Sequence, residues 1–306
     1  MLFGIVTGAN GGIGIALTRE LCKNGYYIFA ISRNDNDLKD LKYTSPEIAD
    51  FFEIIKCDLN NDNEIQKLYE KIMVKTNNKL DLLYHNAGVS FTKSVIDLSN
   101  DELIKSYNVN LFAPMKITKI FSKSLIKNKG TICFTSSVAS FVPLPFTGAY
   151  CSSKAALNQY ANNLSLELGG FGVKVLNFIT GLIDTKFVDI KDDDLKFPSN
   201  SVFATIPESS YILKNKAKAQ TDKKGQNPND YAKSCVNSIL EVNHDCLIKD
   251  KRQTGSVHFF KPFQAIIIYI AYWLLPTSLF RALVYKTYGL DDFFQTFDEE
   301  RNSIKL

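Results

Sequence analysis

The opening run Leu2-Phe-Gly-Ile-Val-Thr-Gly-Ala-Asn-Gly-Gly-Ile-Gly-Ile-Ala-Leu-Thr-Arg-Glu-Leu-Cys-Lys23 decides the fold. Leu2–Val6 is short and wholly apolar, the pattern of a strand buried on both faces of a parallel sheet. Ile15–Lys23 has the spacing of a helix. Between them Gly8 permits a tight turn, and Gly12 and Gly14 let the backbone approach a pyrophosphate at the helix N-terminus. Free N–H groups and the helix dipole favour an anion there. Strand, glycine turn and helix in that order turn a common glycine pattern into an expected dinucleotide site. Met1–Val6 is too short for a secretory signal and leads straight into the turn.

Further apolar runs occur at Tyr26–Ile31, Phe51–Ile55, Leu80–Tyr84, Thr131–Thr135 and Val173–Ile179. Helical patterns separate them: Asn61–Lys75, Asn100–Lys127, Tyr150–Leu168 and, after the last strand, Pro228–Val242. Pro114 predicts a kink in the long stretch Asn100–Lys127. Asn243–Val257 is ambiguous, with room for a short seventh strand. Alternation of this kind predicts an α/β fold, a doubly wound parallel sheet (a Rossmann fold). Ligands in such sheets bind beyond the strand C-termini. The glycine turn, Arg33, Asp58, Asn86, Ser137 and Ile183 all fall at or just after strand ends.

Several of these positions carry chemistry. The second strand ends in Ser32-Arg33-Asn34, with no acidic residue to bind ribose hydroxyls. A guanidinium pairs well with a phosphate, so Arg33 predicts NADP(H) over NAD(H). Asp58 is placed either to meet the adenine amino group or to cap the next helix. Small residues in Asn86-Ala87-Gly88 suit close contact with a ribose. Tyr150 and Lys154, four apart, share one helix face. A free phenol titrates near 10, and a nearby ammonium is expected to lower that value toward general acid–base use. Ser137 lies thirteen residues upstream, just past a strand.

A 306-residue chain is near the upper limit of one domain, or is one domain with an appendage. The net charge of +4 is mild, and no basic stripe interleaved with aromatics marks a nucleic-acid surface. Six cysteines without a Cys-x-x-Cys pair suit reduced thiols facing a cytosolic compartment. His85, His244 and His258 are scattered, so no metal site is expected. A Gly-x-Ser-x-Gly elbow, which a lipid hydrolase requires, does not occur.

Residues 259–306 differ in character from residues 1–258 and are expected to form a C-terminal helical segment. Phe263–Leu275 carries no formal charge and is bracketed by Pro262 and Pro276. As a helix it reaches about 20 Å, short of the roughly 30 Å hydrocarbon core. With Thr277–Tyr288 it suits an interfacial or shallow hairpin anchor, the other reading being an arm packed on the body or on a second subunit. Lys186–Gly225 has little periodicity, and its place after the sixth strand suits a substrate-covering segment, the other reading being a disordered surface loop.

From Leu2 to about Val242 the chain resembles the short-chain dehydrogenases/reductases. The resemblance rests on Thr7-Gly8-x-x-x-Gly12-x-Gly14, Asn86-Ala87-Gly88, Asn110, Ser137 and Tyr150-x-x-x-Lys154. It implies Tyr150 as proton donor, Lys154 as its pKa-lowering partner and ribose ligand, Ser137 as the carbonyl-orienting hydroxyl and Asn110 as the holder of a relay water. It also implies cofactor contacts from Gly8, Asn10, Gly12, Ile13, Gly14, Arg33, Asp58, Asn86, Lys119, Ile183 and Thr185. The chain departs from the pattern at His85, usually Asn, and at Thr180, often Pro. Lys79–Tyr84, Leu125–Ile132, Asn177–Gly181, Tyr231–Lys233 and Tyr272–Leu275 are similar to fungal members that reduce the ketone of 1-acylglycerone 3-phosphate to 1-acylglycerol 3-phosphate with NADPH. That closer resemblance implies a lipid substrate, catalysis facing the cytosol at the endoplasmic reticulum membrane or a lipid droplet, and lysines 186, 214, 216 and 218 as candidates for the substrate phosphate. A retinoid or steroid dehydrogenase and a non-catalytic lipid-droplet scaffold stand as alternatives, and a homo-oligomer is left open.

Overall fold

The computed structural model describes residues 1–185, 187, 196–205, 209–214, 225–245, 257–291 and 294–295. Seven parallel strands form the sheet: β1 (Leu2–Thr7), β2 (Tyr26–Ser32), β3 (Phe52–Lys56), β4 (Leu82–His85), β5 (Thr131–Thr135), β6 (Lys174–Thr180) and β7 (Val257–Lys261). Their order is β3-β2-β1-β4-β5-β6-β7. The chain reverses its direction of travel between β1 and β4, the point where such sheets open a crevice for ligands.

Helices cover both faces because every central strand is apolar on both sides. α1 (Gly12–Lys23), α2 (Asn36–Thr44) and α7 (Pro228–Asp245) lie on one face. Their Leu17, Leu21, Leu38, Val236 and Ile239 pack with Val6, Ile28, Leu82 and Phe178. α3 (Asp62–Thr76), α5 (Ala113–Asn128) and α6 (Gly148–Gly169) lie on the other. There Ile72, Ile117, Phe121 and Leu164 pack with Ile5, Phe29, Leu83 and Phe134.

The stretch Asn100–Lys127 is not one kinked helix. α4 (Asn100–Tyr107), held by a Ser99/Glu102 capping box, ends in a π-turn over Asn108–Phe112, and α5 then begins. Pro114 sits in the first turn of α5, where a missing N–H leaves no bond unmade, so the irregularity falls ahead of it. Asn61, not Asp58, caps α3 by accepting from Asn63 and Glu64 N–H.

The boundary expected at 258/259 falls inside β7. Phe259 pairs with Phe178 in the sheet, so the seventh strand lies at 257–261. Residues 246–256, which hold most of the ambiguous Asn243–Val257 run, are outside the described residues. Beyond β7 come α8 (Phe263–Leu274) and α9 (Thr277–Tyr288). Among the described residues no helix is long and apolar enough to cross a membrane.

Candidate active site

The glycine turn leaves β1 through Gly8 at φ +62°, where an added Cβ would lie 2.7 Å from the Ala87 Cα. Glycine is required there by conformation and by space. Gly14 has a different task from the one its spacing suggests. Its missing Cβ would stand 2.2 Å from the Gly8 carbonyl oxygen, so Gly14 seats α1 against the turn. Gly12 gives room to Thr185, whose Cγ2 would lie 2.7 Å from a Cβ. No side chain caps α1 and its first turn holds no acidic residue, so an anion meets no competitor at its N-terminus. Ile13 is half-buried beside that turn, packed on the core of this face.

Around the turn, the strand ends are stitched together. The Thr7 hydroxyl accepts from the N–H groups of Asn86 and Ala87 at 3.0 and 3.1 Å. Asn86 Nδ2 donates to the carbonyls of Thr7 and Gly8, and the Thr135 hydroxyl donates to Asn86 Oδ1 at 3.1 Å. Asn86 thus holds β1, β4 and β5 in line. Asn10 donates to Asn34 at 2.8 Å, tying the turn to the end of β2 beside exposed Arg33. The Asn60 backbone N–H bonds the Asp58 carboxyl and lowers its pKa, with smaller pulls from Arg33 and Lys105. Ile183 is buried and paired with Gln226, fixing the loop that carries Thr185.

Ser137 comes just after β5, and Tyr150 lies in the first turn of α6. The Ser137 hydroxyl stands against the Tyr150 phenol and lowers its pKa, but burial outweighs it and pushes the phenol up to about 12. Lys154 is almost wholly buried, and its Nζ donates to the Thr135 carbonyl at 2.8 Å. It stands 5.8 Å from the Tyr150 ring centroid. Burial brings Lys154 down to about 8. Lys154 is thus bonded to Thr135 rather than to the phenol, and desolvation is the largest influence on both groups.

Asn110 lies at the centre of the π-turn, fully buried. Its Oδ1 accepts from Val89 N–H at 2.8 Å, and its Nδ2 donates to the Val89 carbonyl and the Ser153 hydroxyl, each at 2.9 Å. Ser153 in turn donates to the Tyr150 carbonyl at 2.8 Å. The Asn110 amide hydrogens are thus both bonded to protein, which makes it a clamp between the β4 loop and the helix of Tyr150. Thr7, Thr135 and Ser153 have roles that spacing does not reveal. Only Thr7 leaves a signal, as the first residue of the glycine motif. Phe187 also adjoins the site, with its ring 5.9 Å from that of Tyr150.

Lys119 does not join this group. It lies on the exposed face of α5, one residue past Thr118, whose hydroxyl meets buried His85 at 2.9 Å on the sheet side. One residue along a helix turns the side chain by about 100°, so Lys119 faces away. His85 stacks on Phe134 at 5.0 Å, and burial lowers its pKa to about 3, which keeps it neutral. Thr180 donates or accepts a 2.7 Å bond with buried Tyr231, a contact a proline could not make. Of the lysines expected near a substrate phosphate, Lys214 is exposed, and 186, 216 and 218 are outside the described residues.

A glycine cradle at a sheet switch point, with a serine, a tyrosine and a lysine meeting beside it, defines a nucleotide-dependent oxidoreductase. The chain belongs to the short chain dehydrogenase family, whose pattern matches residues 4–196. It is 33% identical over 278 residues to the NADPH-dependent 1-acyldihydroxyacetone phosphate reductase of Saccharomyces cerevisiae, covering 90% of this chain and 89% of that one. The protein of the same name from Schizosaccharomyces pombe is 32% identical over 219 residues, 70% of this chain and 71% of that one. Among solved structures, a short-chain dehydrogenase from Streptomyces avermitilis superposes with a TM-score of 0.71 at 19% identity, covering 95% and 98% of the two chains. An alcohol dehydrogenase from Thermococcus sibiricus complexed with 5-hydroxy-NADP does so at 0.65 and 21%, covering 85% and 95%. At those identities the likeness is one of fold.

Proposed function

We propose that this protein reduces the ketone of a 1-acylglycerone 3-phosphate to 1-acylglycerol 3-phosphate, with NADPH as reductant. The carrying observation is the meeting of Ser137, Tyr150 and Lys154 beside the glycine turn, in a chain whose similar fungal proteins bear that activity in their names. NADPH, when bound, supplies the hydride. Gly8, Gly12 and the α1 N-terminus would receive its pyrophosphate, and Arg33 its 2′-phosphate. Ser137 orients the carbonyl oxygen, and Tyr150 delivers its proton to that oxygen as hydride reaches carbon. A phenol with pKa near 12 is fully protonated at neutral pH, the form that donation requires. Lys154 retains most of its charge at pH 7 and favours negative charge on oxygen as it develops.

The C-terminal arm supports a lipid substrate. Ile267, Ile270, Trp273 and Leu274 on α8 and Leu279 and Leu283 on α9 are exposed, with Arg281 and Lys286 alongside. Large apolar residues beside cations suit an interfacial surface, and we assign this face to the cytosolic leaflet of the endoplasmic reticulum or a lipid droplet.

Purified protein with NADPH and a panel of acylglycerone phosphate, retinal and a ketosteroid tests the assignment through loss of NADPH absorbance. Turnover is expected with the first. Tyr150→Phe should lower kcat about 10²–10⁴-fold with NADPH binding retained; turnover unaffected by that change sinks the mechanism. Arg33→Glu should weaken NADPH far more than NADH, and an unchanged preference removes Arg33 from the cofactor site.

A further inference from the structure

Phe146 is the outlier of the backbone. It sits at φ +57°, a left-handed conformation that bulky residues avoid, four residues before Tyr150 and just ahead of α6. The other non-glycine residues at positive φ among the described residues are Asn77, Asn78 and Lys129, all at or next to helix C-termini, where that conformation is routine. Strain of this kind persists only where surrounding structure fixes it, and it collects at functional sites.

The twist carries the Phe146 ring into a small separate core. Its edge meets Phe197 at 5.8 Å and Phe203 at 5.9 Å, and those two rings stack at 5.1 Å. Buried Ile212, Leu213 and Leu290 complete the cluster, with Tyr211, Tyr285 and Tyr288 around it. Three separate parts of the chain therefore meet in one cluster: the residue ahead of the Tyr150 helix, the stretches 196–205 and 209–214, and the end of the C-terminal arm. One polar contact ties stretch 209–214 to the arm, and another ties stretch 196–205 to the loop ahead of α4. Ser201 donates to Asp97 at 2.8 Å, and the Tyr211 hydroxyl donates to the Gly289 carbonyl at 3.4 Å.

We propose that Phe146 and Leu290 form a hydrophobic latch that fixes the covering stretch and the C-terminal arm at the entry to the Tyr150 helix, making Phe146 a positioning residue for the acyl end of the substrate. The proposal rests on the reading of a lipid ketone above. The arm then has two ends with two tasks: an exposed apolar face on α8 and α9, and Leu290 locked against the cover. Losing the latch misplaces the substrate while leaving the cofactor cradle, which lies at the β1 end of the crevice, untouched.

Phe146→Ala, Leu290→Ala and the double variant of the full chain provide the test, with Phe146→Leu as conservative rescue. KM for 1-palmitoylglycerone phosphate is expected to rise at least about tenfold in each single variant, with NADPH affinity within about twofold of the parent and most of the loss restored by Phe146→Leu. The double variant should lose little more than either single one, since both break the same latch. Hydrogen–deuterium exchange should rise together in 196–214 and 285–290. That last readout needs no substrate, so it tests the latch even if the parent protein fails to turn over acylglycerone phosphate. Unlinked exchange in the two segments, additive losses, or a lowered Tm with unchanged KM would each overturn the proposal.

Discussion

Lys154 holds an ammonium where water cannot solvate it, and its titration reflects that. With a pKa near 8, against an ordinary value of 10.5, it binds fewer protons in the folded chain than in the unfolded one between those two limits. Stability contributed by this group therefore rises with pH from about 8 to 10.5, and below 8 the charge is a standing penalty. Lys154→Met is expected to abolish most activity and yet raise stability at pH 7, by on the order of 1–3 kcal/mol, because an apolar chain of similar length needs no hydration. The gain should vanish above pH 10.5, where the lysine is neutral in both states. Thermal melts at pH 7 and pH 11 check this; a variant less stable than the parent at pH 7 would show that the bond to Thr135 outweighs desolvation.

At the scale of elements, the glycine turn offers a matched pair. Gly14→Ala drives a methyl into the backbone of the turn at 2.2 Å and is expected to cost several kcal/mol, or to unseat α1 with loss of NADPH binding. Gly170, after α6, has a right-handed backbone and open space around it. Gly170→Ala should stabilise by about 0.4–1 kcal/mol through the unfolded chain. Denaturant melts of the two variants would separate fit from flexibility. The same turn is legible in the sequence because strand, turn and helix are consecutive, so local rules suffice. The segment around Asn110 is not. Pro114 advertises a kink, but the irregularity precedes it, fixed by hydrogen bonds from Asn110 to Val89 and Ser153 that lie far apart in the chain. Spacing finds Lys154 but not its hydrogen-bond partner, a strand carbonyl from nineteen residues away. The extent of β7 escapes the sequence because its pairing with β6 spans about eighty residues, a distance at which periodicity carries no information.

For the whole molecule, Trp273 is a built-in reporter. It is the chain's one tryptophan and is 64% exposed on the apolar face of α8. Vesicles containing anionic lipid should blue-shift its emission, and Trp273→Asp together with Leu274→Asp should abolish co-flotation while leaving NADPH binding intact; flotation that persists would remove this face from the proposed membrane contact. A deletion that spares the sheet must start after Pro276, removing α9 but leaving α8, because Phe259 belongs to the sheet and Ala265 packs against Gly181. That placement of β7 bears on how the protein is made. The six strands around the cradle are complete once Thr180 has been translated, but the strand that covers the flank of β6 follows only about eighty residues later in the chain. Until then Lys174–Thr180 offers an open row of peptide groups to any neighbouring nascent chain, so a truncated message ending before residue 257 should yield aggregate rather than a smaller enzyme.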